Sequence, residues 1–144
     1  YVSIASALME GKDLKTHVET GIRRAMQYYI VQARFSHELH HYERLAHEGF
    51  NRLDEADIRS SGYVVDTLEA AVWCLLNTGS FGECVLKAVN LGEDTDTVAA
   101  VAGGLAGLYY GYESIPGQWL SVIARREYVE TLCNELYESL RNFL

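Results

Sequence analysis

The chain has 144 residues, a length typical of one domain with a single core. Hydrophobic residues make up 49% of it and charged residues 22%, a balance that excludes an intrinsically disordered chain. The formal net charge is -8 and the pI is near 5.0, so the chain offers no general electrostatic attraction to nucleic acids or anionic membranes. We therefore expect neither as a partner.

The ends and the cysteines suggest where the protein works. The three cysteines lie among apolar residues at helical spacing and lack CxxC spacing, which predicts buried thiols in a reducing compartment (Cys74, Cys84, Cys133). No charged segment followed by an apolar one opens the chain, so no secretory signal is predicted and we expect a cytoplasmic protein. Because Tyr1 leads directly into a helical pattern, we expect residues 1–144 to be the C-terminal portion of a domain whose N-terminal portion is missing.

Apolar residues recur at three- and four-residue steps through nearly the whole chain, and no run alternates long enough for a strand. The sequence thus predicts an all-α fold. A first short helix is predicted around residues 4–8, ending at Gly11, and a longer one over residues 14–30. A third, polar helix is predicted over residues 36–51, followed by a loop over residues 51–61.

The second half of the chain continues the helical pattern. A fourth helix is predicted over residues 65–76, and Ser80 with Glu83 forms a capping-box signature for a fifth. A sixth helix covers about residues 96–111, and a short helix follows Pro116. The last helix has its apolar positions at Val129, Leu132, Leu136, Leu140 and Phe143. We expect a compact multi-helix bundle around the sixth helix.

An acidic segment precedes the sixth helix. Residues 93–97, Glu-Asp-Thr-Asp-Thr, hold three carboxylates and two hydroxyls. Helix capping explains such residues, because Asp and Thr are good N-caps and acids suit the positive end of a helix. A cap needs one such side chain, however, and three adjacent carboxylates repel one another unless a cation lies among them. Metal binding and capping therefore fit the pattern about equally, and the oxygen ligands Asp94, Asp96 and Thr97 suit Mg²⁺ better than zinc.

The sixth helix consists of very small residues. Its interior glycines Gly103, Gly104 and Gly107 together cost roughly 2 to 3 kcal/mol in helix propensity relative to alanine. We expect close backbone approach by neighbouring helices to offset this cost. A membrane span is the alternative, but residues 98–112 are fewer than the roughly 20 apolar residues that a span needs.

These segments resemble the ADP-ribosylglycohydrolases. The resemblance lies in Gly-Glu-Asp-Thr-Asp-Thr-Val-Ala-Ala at residues 92–100, Gly-Gly-Leu-Ala-Gly-Leu-Tyr-Tyr-Gly at residues 103–111, Ile115-Pro116 and Trp119-Leu120. The upstream segments at residues 61–73, 80–81 and 88–91 resemble the same family in the same order. The similarity is strong from about Ser61 to Leu120 and weak on both sides.

The resemblance implies an all-α hydrolase that uses two Mg²⁺ ions, with Mn²⁺ as a possible substitute, to cut the glycosidic bond between ADP-ribose and a protein side chain or related acceptor. Its partner would be an ADP-ribosylated protein or an ADP-ribosyl small molecule. Asp94, Asp96 and Thr97 match the family's C-terminal metal ligands. Gly62 and Tyr63 match positions in the ADP-ribose pocket, although a Tyr63 side chain packed in the core explains that residue equally well.

One family motif is absent. The family completes its metal pair with Thr-Asp-Asp near its N-terminus, and no Thr-Asp-Asp occurs in this sequence. The chain would thus supply half of the metal site, the general base would lie in the missing N-terminal segment, and the chain alone would be inactive. A non-catalytic binding or structural relative of the same fold is the alternative.

A second motif points to another class of enzyme. His37-Glu38-Leu39-His40-His41 satisfies the H-E-x-x-H pattern of zinc proteases, in which His37 and His41 would bind zinc and Glu38 would act as base. Four histidines within eleven residues make one such match unsurprising, and the segment carries little apolar surface. A solvated helix face is the simpler interpretation.

Overall fold

The computed structural model describes residues 1–11 and 13–142, and within these ranges it contains helices and no strand. The predicted all-α fold is thereby confirmed. The helices are α1 (Val2–Leu8), α2 (Leu14–Ile30), α3 (Glu43–Ala46), α4 (Val64–Leu76), α5 (Phe81–Val89), α6 (Thr95–Tyr110), α7 (Gly117–Leu120) and α8 (Arg126–Arg141). Short 3₁₀ helices lie at Ser36–Tyr42, Phe50–Arg52, Glu55–Asp57 and Tyr112–Ser114. The chain divides into two contact units, Tyr1–Ser114 and Ile115–Leu144.

Helix α6 is the centre of the first unit, as the sequence predicts. It packs against α1, α4 and α5. The apolar residues that it buries are fully enclosed (Val98, Ala102, Leu105, Ala106). Most residues of α6 have small side chains, so three helices can pack around it. Its start is also hydrogen-bonded to the segment just before α4.

The glycines of α6 do not bring backbones together, so that prediction is wrong. A Cβ on Gly103 would lie 3.5 Å from Val85 Cγ2, and one on Gly107 would lie 3.9 Å from Phe81 Cε2. Both neighbours are side chains of α5. Gly103 and Gly107 thus have room for a methyl group, whereas a Cβ on Gly104 would collide with the Tyr1 hydroxyl, which is also a side-chain atom.

Close backbone approach occurs elsewhere, at Gly21 of α2. A Cβ there would lie 2.5 Å from Ile4 Cα and 2.8 Å from the Ser3 carbonyl oxygen, both in α1. The Ser3 hydroxyl donates a 2.7 Å hydrogen bond to the Gly21 carbonyl oxygen at the same contact. Gly21 is thus the point where α1 rests directly on the backbone of α2.

The prediction of a continuous third α-helix is wrong. Residues 36–51 form a 3₁₀ helix, the single α-helical turn α3, and a second 3₁₀ helix that starts after Gly49, whose φ is +95°. Within this stretch only Leu45 and Phe50 are buried. A continuous α-helix needs an apolar stripe to pack, and this histidine-rich segment does not have one.

The second unit contains α7 and α8. Helix α8 carries the predicted apolar positions from Val129 to Leu140, whereas Phe143 lies outside the described residues. Arg126 and Glu130 form an ion pair one turn apart, at 2.7 Å. None of the described helices, in either unit, is both long enough and apolar enough to span a bilayer.

Candidate metal centre

A tight turn delivers the acidic segment to the start of α6. Helix α5 ends at Val89, and the turn that follows uses left-handed backbone at Gly92, with φ +93°, and at Glu93, with φ +56°. A non-glycine residue in this region costs on the order of 1 kcal/mol. The turn places Asp94 directly before the first residue of α6, Thr95.

The Asp94 carboxylate does not cap the helix. Its side chain makes no hydrogen bond to the amides of the first turn. Instead Asp94 Oδ1 accepts a 2.9 Å hydrogen bond from the Thr97 hydroxyl. The capping interpretation requires a carboxylate-to-amide bond, which Asp94 does not make. Asp96 lies in the same first turn with an exposed side chain.

A second segment, residues 60–62, holds this turn in place. The Asp94 backbone N–H donates a 3.0 Å hydrogen bond to the Ser60 carbonyl oxygen. The Ser60 hydroxyl, on a residue that is 2% exposed, donates to the Gly92 carbonyl oxygen at 2.8 Å. Gly62 follows, and a Cβ on it would lie 3.1 Å from Asp94 Oδ2. The fold therefore brings together three of the predicted site residues, Gly62, Asp94 and Thr97.

Tyr63 is on the surface and not in the core. It is the residue before α4, and 49% of it is exposed. Its ring meets the His41 ring edge to face at 6.4 Å. Both rings line a cavity of about 770 Å³ whose walls are largely aromatic and aliphatic side chains, including Tyr28, Tyr29 and Phe35. The core interpretation of Tyr63 is thus wrong, and the ring is available to a ligand.

Two polar residues that the sequence did not single out shape the segment around Tyr63. The Ser61 hydroxyl donates a 2.6 Å hydrogen bond to Asp66 Oδ2 and accepts one from the Tyr63 backbone N–H at 3.2 Å. The Thr67 hydroxyl lies 3.2 Å from the Ser61 and Tyr63 carbonyl oxygens. A serine shortly before a helix with an acid in its first turn is a local signal for such a turn. The contact that Ser60 makes with Gly92 carries no such local signal.

The donor set fits part of a hard-cation site. Asp94, Asp96 and Thr97 offer oxygen atoms only, and Mg²⁺ prefers oxygen ligands in octahedral geometry. Gly62 leaves open the space beside Asp94 Oδ2 that a side chain would fill. Among the residues described, no group of three or more His, Cys, Asp or Glu side chains is arranged to hold a metal ion. The two acids and one hydroxyl at α6 are accordingly a partial ligand set.

The histidine motif does not form a protease site geometry. Residues 36–42 are 3₁₀ helical, so His37 and His41 lie about 120° apart around the axis, whereas the zinc motif needs the shared face of an α-helix. Glu38 lies between them, with its carboxylate 2.8 Å from His37 Nε2 and 3.6 Å from His41 Nε2. All three side chains are exposed. The segment is a solvated charged face.

The sequence is similar to a known protein family and to several named proteins. The sequence profile of the ADP-ribosylglycohydrolase family matches residues 1–142. ADP-ribosylarginine hydrolase Tri1 of Serratia proteamaculans is 49% identical over 81 residues, which are 56% of this chain and 22% of that protein. ADP-ribosyl-[dinitrogen reductase] glycohydrolase of Rhodospirillum rubrum is 44% identical over 63 residues, which are 44% of this chain and 21% of that protein.

A more distant relative is the human ADP-ribosylhydrolase ARH3, 28% identical over 83 residues, which are 50% of this chain and 23% of that protein. The matched part of the chain therefore spans less than a quarter of each of these three relatives. The profile, by contrast, covers nearly all of the chain, including every residue of the candidate centre. This chain belongs to the ADP-ribosylglycohydrolase family.

Proposed function

We propose that this protein is a magnesium-dependent hydrolase that cuts the glycosidic bond between ADP-ribose and an acceptor, and that this chain supplies one half of its metal site through Asp94, Asp96 and Thr97. The observation that carries the proposal is the Asp94 carboxylate, which stands at the start of α6 without capping it. Family membership supports the reaction type. The other half of the site would come from a segment that carries the Thr-Asp-Asp motif.

The three residues have complementary roles. The Thr97 hydroxyl donates its only proton to Asp94 Oδ1, so its lone pairs are left for a cation. Asp94 Oδ2 faces the open side of Gly62, and Asp96 adds a second negative charge in the same turn. A bound Mg²⁺ would orient ribose hydroxyls and lower the pKa of a water molecule for attack on the anomeric carbon.

The substrate would lie at the starts of α4 and α6, where Gly62 is close to Asp94. The Tyr63 ring, half exposed beside an aromatic cavity, offers a face for a base or a ribose, and Gly62 lets the ligand approach the backbone. Two relatives are named for ADP-ribosylarginine and for ADP-ribosylated dinitrogen reductase. An ADP-ribosylated protein side chain is therefore the substrate class, with ADP-ribosylarginine the first compound to assay and ADP-ribosyl small molecules the alternative.

Calorimetric titration of Mg²⁺ and Mn²⁺ into the full-length protein tests the metal site. Asp94→Asn and Asp96→Asn keep the side-chain shape but remove a charged ligand, so affinity and hydrolysis should fall together. Glu93→Gln is the matched control, because it removes a carboxylate from the same exposed turn at a position that we do not assign as a ligand. Unchanged affinity in both Asp variants, or an equal loss in Glu93→Gln, would remove the assigned ligands from the site.

A further inference from the structure

Ser60 is a buried polar residue with an unusual pair of bonds. It is 2% exposed, its hydroxyl donates to the Gly92 carbonyl oxygen at 2.8 Å, and its own carbonyl oxygen accepts the Asp94 N–H at 3.0 Å. Ser60 is therefore hydrogen-bonded to the residues on both sides of Glu93, Gly92 and Asp94. The hydroxyl and the carbonyl oxygen of this buried residue are thus both hydrogen-bonded, as buried polar groups usually are.

The Gly92–Asp94 turn has a strained backbone, which we expect to change conformation if the Ser60 hydrogen bonds are lost. Glu93 has φ +56°, a region that side-chain-bearing residues avoid, and Gly92 has φ +93°. Such a conformation persists only where surrounding contacts hold it. Within the described residues, Ser60 makes two hydrogen bonds that reach this turn from another segment of the chain.

The same segment sets the distance to the Asp94 carboxylate. Two residues after Ser60, Gly62 passes so close that a Cβ would lie 3.1 Å from Asp94 Oδ2. At that distance a Cβ would make the carboxylate shift by a few tenths of an ångström. Residues 60–62 therefore hold the backbone of Asp94 and lie against its side chain.

We propose that Ser60 is a positioning residue for the cation site, which acts by holding the Gly92–Asp94 turn so that the Asp94 carboxylate is in place before the cation arrives. The proposal rests on the proposed metal site. Mg²⁺ demands ligand distances near 2.0 to 2.1 Å in near-ideal octahedral geometry, so a carboxylate on a released turn binds it poorly. Residues that orient metal ligands typically cost about 10- to 100-fold in affinity when they are removed.

The test is Ser60→Ala in the full-length protein, with Mg²⁺ and Mn²⁺ affinities measured by calorimetry. Affinity should fall about 10- to 100-fold. Hydrolysis should fall at limiting Mg²⁺ and recover at saturating Mg²⁺, because the ligands themselves are intact. Ser3→Ala is the matched control: it removes a hydroxyl-to-carbonyl bond of similar length, 2.7 Å to Gly21, at the contact between α1 and α2. It should lower the thermal midpoint and leave the metal affinity unchanged.

The outcomes separate this inference from the function on which it rests. If Asp94→Asn loses affinity while Ser60→Ala keeps it, or if Ser3→Ala loses as much as Ser60→Ala, the positioning role is overturned and the metal site stands. If Asp94→Asn keeps affinity, the metal site itself fails. Should Ser60→Ala not fold, Ser60→Cys provides the second variant, since a thiol of similar size is a much weaker donor to the Gly92 carbonyl oxygen, and wild-type affinity in it would contradict the inference.

Discussion

A single buried carboxylate ties the histidine-rich segment to the centre of the fold. Glu69 of α4 is 6% exposed, and Arg44 Nε lies 3.2 Å from Glu69 Oε2. The Arg44 guanidinium also donates a hydrogen bond to the Asp57 carbonyl oxygen, at 2.5 Å. Arg44 thus connects two loop segments to α4, and the connection depends on the charge state of Glu69.

That charge state should make stability depend on pH. Burial raises the pKa of Glu69 above its usual value, while Arg44 lowers it and Asp66 raises it further. Because the folded pKa is the higher one, the protonated form favours folding, and its contribution is lost as pH rises from the ordinary Glu pKa through the folded value. Each unit of difference corresponds to about 1.4 kcal/mol.

Glu69→Gln imitates the protonated carboxyl, so it exposes this effect. We expect the variant to gain stability relative to wild type as pH rises from about 4, with the difference levelling off above the folded pKa. Urea unfolding at a series of pH values measures it. Parallel stability curves for the two proteins, or a difference that shrinks as pH rises, would contradict the prediction.

At the scale of elements, two glycines in helix interiors should respond to alanine with opposite signs. At Gly21 an added methyl group would meet the backbone of α1 at 2.5 Å, which would push α1 and α2 apart. Gly21→Ala should therefore destabilise the protein by about 1 to 3 kcal/mol despite its better helix propensity. At Gly103 the nearest atom would be Val85 Cγ2, at the ordinary contact distance of 3.5 Å.

Gly103→Ala should accordingly stabilise α6 by up to about 1 kcal/mol, because it lowers the entropy of the unfolded chain and fills open space. Thermal unfolding of both variants beside wild type checks the pair. Equal effects, of either sign, would show that the contacts of these two glycines do not decide their cost.

The same elements show what the sequence can predict. The longer helices begin and end within a few residues of their predicted positions, because apolar residues recur in them at helical spacing. Ser80 caps α5 through the Glu83 N–H at 3.2 Å, as predicted, although Glu83 reaches back to the Gly79 N–H and not to that of Ser80. The third helix fails because polarity alone cannot distinguish an exposed α-helix from a 3₁₀ segment.

The candidate site was predicted in part for a related reason. The acids at α6 are local in sequence, so their pattern is readable, and the family resemblance adds Gly62 and Tyr63. Ser60 was missed because its partner Gly92 is 32 residues away. A serine in a loop is ordinary in a sequence, and only the packing of α4 against α6 brings it into contact with the Gly92–Asp94 turn.

At the scale of the whole molecule, the reactivity of the three cysteine thiols measures how well the core is buried. Cys74 and Cys84 are buried between α4 and α5, and burial raises the pKa of Cys74 to about 12 and that of Cys84 to about 11. Cys133 is exposed on α8, so the prediction of a buried thiol is wrong for this residue. Since the thiolate is the reactive form, a disulfide reagent at neutral pH should modify Cys133 quickly and the other two only after unfolding. Fast modification of all three thiols in the native protein would contradict the buried core.

Metal binding should also be visible in the stability of the whole molecule, which separates a metal-binding protein from a structural relative that keeps the acids only for folding. A ligand that binds only the folded state stabilises it by RT ln(1 + [L]/Kd), about 2.7 kcal/mol at a concentration 100 times the Kd. Mg²⁺ should therefore raise the thermal midpoint of the full-length protein by several degrees. Asp94→Asn should remove that increase and leave the midpoint without metal nearly unchanged, because its side chain caps no amide of α6. A scaffold that retained the acids only for folding would behave in the opposite way: Mg²⁺ would not shift its midpoint, and the substitution would lower it in metal-free buffer.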